Sequence, residues 1–316
     1  MIVTVTLNPS IDRTLRVQAL VRGDVLRAEA VEADPGGKGV NVARALSAHG
    51  ADTVALLVAG GSVGRALVSQ LRDAGVRTDV VEVGGSTRTN ITVVEPDGTT
   101  TKLNEPGPTP TPAELGRVVA AVSSHVSGPA DWVVAAGSLP PDVDLDAYAR
   151  IGDAAHECGA RFALDCSGPA FLAGLAAGPD LVKPNREELA EAVGRDLPTL
   201  RDIVEACHEL QRRGARDVVC SLGGEGALLV SAEGAWFATA PRVEVVNTVG
   251  AGDSLLAGFL FAGGAGPEAL RVGVAWATAA VGTSGTGVPA PHLVHPETVT
   301  VKDASDHTLA LWKEVS

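Results

Sequence analysis

Short apolar runs and longer segments of helical period take turns along this chain, and that rhythm limits its fold more than any other feature. Ile2–Leu7, Thr53–Ala59, Trp132–Ala136, Arg161–Asp165 and Leu181–Lys183 read as strands. Between and after them, Lys38–Ala48, Arg65–Ala74, Leu145–Cys158 and Leu200–Arg213 carry apolar residues at helical spacing. Thr111-Pro-Ala-Glu114 opens another helix with a capping box and an early proline, and Asn185 with Glu188 opens one the same way. Asp217–Ser221, Ala227–Val230 and Val243–Val246 read as further strands, and Arg271–Val281 as a late helix. Strands that alternate with helices predict an α/β fold, with a mostly parallel central sheet and helices on both faces. The rhythm lapses at 12–35 and 86–105, where short polar alternating segments replace the helices. These two insertions are expected to form a small β-sheet lid on a single domain spanning 1–316.

Aromatic residues make up 3% of the chain, so Val, Leu, Ala and Ile must fill the core. The net charge of −13 argues against nucleic acid or an anionic membrane as partner. The longest apolar stretch, around Leu255–Phe261, falls well short of the roughly 20 residues that span a bilayer. MIVTVTLNPS lacks the charged and apolar regions of a signal peptide, so a cytoplasmic protein is expected. Cys158, Cys166, Cys207 and Cys220 show no metal spacing and read as reduced, mostly buried thiols. His292 and His295, set between prolines, read as a surface loop.

The stretch NTVGAGDSLLAGF at 247–259 puts a glycine turn and a carboxylate at the mouth of an apolar segment. In open α/β sheets ligands sit beyond the carboxyl ends of strands. Backbone amides of Gly250, Ala251 and Gly252 at a helix start can hold an anion. Asp253 follows in the first turn and suits a general base for a hydroxyl, unless it merely caps the helix. PGGKGVN at 35–41 repeats the arrangement, with Lys38 and Asn41 on one helical face. Asp12 follows the first strand, where a carboxylate can meet sugar hydroxyls or simply shape a turn. Arg88 offers the planar fork that suits phosphate. No G-x-x-x-x-G-K-[ST] loop is present.

Seven motifs in order, TLNPSID, PGGKGVN, TRTN, GSLPP, VKPNREEL, SLGGEGA and NTVGAGDS, span nearly the whole chain. Together they resemble the ribokinase-like (PfkB) sugar kinases. The resemblance implies ATP and Mg²⁺ as cofactors and a sugar phosphate as the small-molecule partner. It makes Asp253 the catalytic base and Gly250, Ala251 and Gly252 the anion hole. Asp12, Gly37, Lys38 and Asn41 then bind the sugar, Arg88 with Lys38 binds its phosphate, and Ser138 lines that pocket. Lys183, Asn185, Ser221, Gly223, Gly226 and Thr248 line the ATP side, and Glu188 organises Mg²⁺ through water. Asn247 stands where some members place an aspartate that helps hold a monovalent cation, so that cation is not expected.

TLNPSID and TRTN look like the branch whose acceptors are ketohexose phosphates. Fructose 1-phosphate leads, with tagatose 6-phosphate and fructose 6-phosphate as alternatives, since LDCSG at 164–168 and Asn247 lean toward tagatose 6-phosphate. An unphosphorylated sugar or nucleoside as acceptor, or a sugar-phosphate-binding regulator without catalysis, are the further alternatives. A lid edge strand leaves a homodimer open.

Overall fold

The computed structural model describes residues 1–283 and 288–304; the expected domain span of 1–316 also takes in stretches outside the described residues. The first part of the chain runs β1 (Ile2–Thr6), β2 (Ser10–Arg16), β3 (Ala30–Gly36), α1 (Lys38–Ala48), β4 (Thr53–Ala59), α2 (Gly61–Asp73), β5 (Thr78–Glu82), β6 (Arg88–Val94) and β7 (Thr100–Asn104). The middle holds α3 (Pro112–His125), β8 (Trp132–Ala136), α4 (Ala147–Glu157), β9 (Arg161–Asp165), α5 (Gly168–Gly174), β10 (Leu181–Val182), α6 (Arg186–Val193) and α7 (Leu200–Arg212). The last part holds β11 (Asp217–Ser221), β12 (Ala227–Ser231), β13 (Gly234–Thr239), α8 (Ala251–Phe261), α9 (Gly266–Val281) and β14 (Thr300–Asp303).

Ten strands form the main sheet in the order β14-β13-β12-β11-β10-β9-β8-β1-β4-β5. From β5 to β11 neighbouring strands are parallel, and β12, β13 and β14 add antiparallel to that edge. Every residue of β1, β4 and β8 is buried, as in a sheet covered on both faces. On one face Val5, Val133, Tyr148, Phe162, Leu189 and Ile203 pack into a core with α4, α6 and α7. On the other, Val42, Leu46, Trp132, Leu255, Phe259 and Trp276 pack with α1, α8 and α9. The capping box at α3 is present, with Glu114 N–H donating to Thr111 Oγ1 at 3.3 Å and Thr111 N–H to Glu114 Oε2 at 2.6 Å.

A second sheet of four strands has the order β3-β2-β6-β7. Its strands come from 10–36 and 88–104. Parallel pairing of β2 with β6 sets Ser10 opposite Arg88 and Asp12 opposite Asn90. Residues from distant parts of the sequence are thereby locked into one register.

One expected strand is absent. Val243–Val246 is irregular and exposed, with Val243, Val245 and Val246 at 44%, 62% and 57% exposure. The sheet position that a strand here could fill is taken by β14, which pairs with β13. The loop is instead tied to the end of α9, where Val246 N–H donates to Val281 O at 2.8 Å and Asn247 N–H to the same oxygen at 3.2 Å.

Candidate active site

Because the central strands are parallel, their carboxyl ends meet at one edge of the sheet. β1 leads there to Asn8 and Ser10, β8 to Gly137 and Ser138, β9 to Asp165, β10 to Lys183 and β11 to Ser221. The N-termini of α1 and α8 arrive at the same edge, as the two pairings below show. Gly250 caps α8 in the left-handed region, with φ 82°, a conformation that costs a side-chain-bearing residue. The turn that it allows starts the helix at Ala251, four residues earlier than the apolar run suggests. Asp253 therefore sits in the first turn, and its side chain enters the protein rather than solvent.

Asp253 is 7% exposed and accepts a hydrogen bond of 2.8 Å at Oδ2 from Asn41 Nδ2. This pairing joins α8 to α1. Burial pushes the Asp253 carboxyl up to about 6, and the neighbouring Asp165 adds to the rise; the Asn41 hydrogen bond, Lys183 and Lys38 oppose it. Lys38 Nζ lies 2.8 Å from Asp165 Oδ1 and 3.2 Å from Glu188 Oε1. Although burial alone lowers its affinity for protons, Asp165 and Glu188 hold the Lys38 ammonium above the usual lysine range. Lys183 Nζ makes an ion-pair contact of 3.0 Å with Asp165 Oδ2. Gly252 stands against that ammonium, since a Cβ built there lies 3.3 Å from Lys183 Nζ.

On the far side of the glycine turn is a cleft of about 760 Å³. Asn185, Ser221, Gly223, Gly226 and Thr248 line it, together with Ala251 and Gly252. Its volume is within the range of roughly 300–1,000 Å³ common for small-ligand sites. Lys183 and Asp253 do not line it; they lie behind the turn. Ala251 and Gly252 thus border the open cleft in the same helical turn as the buried acid. Amides at a helix start have no intrahelical acceptor; here Ala251 N–H donates to Thr248 O at 3.4 Å within the turn.

A second group forms where β1 ends. Arg88 Nη2 donates to Asn8 O at 3.0 Å and Nη1 to Glu105 O at 3.2 Å, while its buried Nε has no partner. Asn8 Nδ2 donates to Pro106 O at 3.1 Å and to Ser138 Oγ at 3.4 Å. The Tyr148 hydroxyl donates to Gly137 O at 3.0 Å and holds the turn that carries Ser138. Asp12 Oδ1 accepts from Ser10 Oγ at 2.7 Å and from Asn90 Nδ2 at 2.9 Å. Gly37 caps α1 beside these groups, with φ 114°. The structure therefore gathers Asp12 with Asn90, Arg88 with Asn8 and Ser138, and Lys38 with Lys183 and Glu188.

Sequence reasoning missed Asp165 and Asn8 as site residues. Asp165 is 0% exposed at the end of β9, and its signal was a carboxylate closing an apolar strand. Both oxygens of Glu188 are engaged, Oε1 by Lys38 Nζ at 3.2 Å and Oε2 by Asn185 N–H at 2.9 Å in the cap of α6. The described residues hold no group of three or more His, Cys, Asp or Glu able to cage a metal. Mg²⁺ in nucleotide enzymes needs no such cage, because it binds through one or two carboxylates and the substrate phosphates. Glu187 lines the cleft and Glu188 does not, so Glu188 fits that mode only through water.

The glycine turn that starts α8 borders the open cleft and carries the buried acid Asp253 in the same helical turn, and comparison with known proteins gives the class of this chain. The chain matches the pfkB family carbohydrate kinase model over residues 5–293. It belongs to that family. A 1-phosphofructokinase of Rhodobacter capsulatus is 39% identical over 315 residues, covering 95% of this chain and 97% of the relative. A 1-phosphofructokinase of Haloferax volcanii is 42% identical over 296 residues, covering 92% of this chain and 93% of the relative. Among solved structures, phosphofructokinase-2 of Escherichia coli in complex with potassium aligns with a TM-score of 0.87 at 37% identity, covering 93% of this chain and 96% of that one. Among the described residues no helix is long and apolar enough to cross a membrane.

Proposed function

We propose that this carbohydrate kinase transfers the terminal phosphoryl group of ATP to the free primary hydroxyl of fructose 1-phosphate, giving fructose 1,6-bisphosphate. The observation that supports the reading is the buried Asp253–Asn41 pair in the first turn of the helix that Gly250 opens. The two 1-phosphofructokinase relatives support the choice of acceptor. A 6-phosphorylated ketohexose is the second reading, because the matched Escherichia coli structure is a phosphofructokinase-2.

Asp253 receives the hydroxyl proton as the oxygen attacks phosphorus. Asn41 orients that carboxylate by donating to one oxygen and leaves the other to face the acceptor. Asp12 and Asn90 hold sugar hydroxyls, while Arg88, with its unpartnered Nε, and Lys38 hold the phosphate already present. Gly250–Gly252 amides and Lys183 carry the charge that gathers on the migrating group. Asn185, Ser221, Gly223, Gly226 and Thr248 hold the nucleotide in the cleft. Glu188, through water, and the nucleotide phosphates would hold Mg²⁺, which would supply charge neutralisation there. The second sheet closes over the sugar as a lid and keeps out water, which would otherwise compete as acceptor.

A coupled assay for ADP with MgATP and fructose 1-phosphate, fructose 6-phosphate, tagatose 6-phosphate or fructose tests the reading. The expected result is the highest kcat/KM with fructose 1-phosphate and little turnover of fructose. Preference for the unphosphorylated sugar contradicts it. The edge strands β3 and β7 expose Val31 and Leu103, and we expect the second sheet to pair with another copy of the chain. Light scattering should give a dimeric mass; a monomer at assay concentrations contradicts that pairing.

A further inference from the structure

Asp165 has no place in the scheme above, yet it sits at the centre of the buried charge. Its Oδ1 lies 2.8 Å from Lys38 Nζ and its Oδ2 lies 3.0 Å from Lys183 Nζ. The two ammoniums come from different parts of the chain. Lys38 opens α1 and Lys183 directly follows β10. Lys183 is 4% exposed and Asp165 0%, so neither side chain can turn to water. A buried carboxylate survives only with partners of this kind, and two cations near a helix start need an anion between them just as much. The local inventory is three carboxylates, Asp165, Glu188 and Asp253, against the ammoniums of Lys38 and Lys183.

We propose that Asp165 is a positioning residue for phosphoryl transfer: by holding one lysine on each carboxylate oxygen, it fixes both ammoniums against the glycine turn and Asp253 before substrate arrives. Geometry supports each half. Lys183 Nζ is the atom that a Cβ on Gly252 would meet, so the tether aims it at the turn where charge gathers. Lys38, the first residue of α1, is held by Asp165 and Glu188 together. A long lysine side chain loses considerable rotamer freedom when ordered, and the tether removes that cost from the catalytic step. The same carboxylate acts on the base through space. Of the charged groups that influence Asp253, Asp165 raises its proton affinity, whereas Lys183 and Lys38 lower it; Glu188 reaches this set through Lys38.

This inference rests on the kinase reading, so the native enzyme must first show ATP-dependent turnover of a ketohexose phosphate. Failure at that stage counts against the reading and not against Asp165. In the active enzyme, Asp165→Asn should lower kcat by about 10²-fold, as loss of positioning does. It should also move the acid limb of the kcat/KM profile toward acid by roughly one pH unit, because a charge that opposes ionisation of Asp253 is gone. Lys183→Met should move that limb the other way, toward neutral pH, since it removes a cation and leaves Asp165 in place. An Asp165 that serves the fold alone lowers the amount of folded protein and leaves the kcat of what remains near native. An unmoved limb in either variant, or a native kcat in Asp165→Asn, overturns the proposal. Where Asp165→Asn does not fold, the direction of the shift in Lys183→Met decides.

Discussion

Asp253→Asn lowers kcat by at least about 10²-fold while affinity for the sugar phosphate stays close to native, the loss expected when a general base is removed. The amide keeps the shape of the carboxyl group and can still accept from Asn41 Nδ2, so the pocket is retained. What disappears is the ability to take a proton. Steady-state turnover measured beside calorimetric binding of fructose 1-phosphate separates the two effects. Stability provides the control against unfolding. The carboxyl titrates near 6 in the folded protein, above its ordinary value of 3.8. The native state therefore binds the proton more tightly than the unfolded chain, and ionised Asp253 destabilises the fold as pH rises through that window. At neutral pH the neutral amide should melt no lower than the native protein, and this advantage should vanish below the ordinary carboxyl range. A variant that loses turnover and also melts early would trace the loss to the fold instead.

Arg88→Ala should raise the KM for the sugar phosphate by about 10- to 100-fold, the equivalent of a charged hydrogen-bonded contact of roughly 1.5–3 kcal/mol, and leave the KM for ATP nearly unchanged. Arg88 lies with Asn8 and Ser138 at the end of β1, whereas the cleft proposed for the nucleotide is lined by residues from 185 onward. Its two Nη groups already bind the carbonyls of Asn8 and Glu105, and its Nε is buried without a partner. Part of the guanidinium thus serves the fold, and the remaining donors are expected to serve the ligand. Arg88→Lys tests the division, because a lysine retains the charge without the planar fork. Equal losses for both substrates would make Arg88 a structural residue alone.

Much of this arrangement was legible in the sequence because it rests on local chemistry. Period-2 and helical patterns located most of the central strands and helices, and the boxes at Thr111 and Asn185 marked helix starts that depend only on near neighbours. The glycine turn before Asp253 was legible for the same reason. Reading failed where the outcome depends on partners. Val243–Val246 carries the composition of a strand, but strands need an open edge, and β14 occupies the one beside β13. Both β13 and β14 escaped notice because GAWFAT has a weak alternation and TVKD is short and half polar at a sheet edge. Asp165 shows the same limit within the site. Nothing next to it in the sequence indicates that two lysines, 127 residues before it in one case, converge on its oxygens.

The pH dependence of kcat/KM from about pH 5 to 8 tests the assignment of Asp253 most directly, because that ratio reports the essential base of the free enzyme. Activity should fall toward acid with a midpoint near 6, where Asp253 takes up its proton. In Asp253→Asn the residual activity should no longer show that limb. A limb near the same pH that survives in the variant would place the essential base elsewhere.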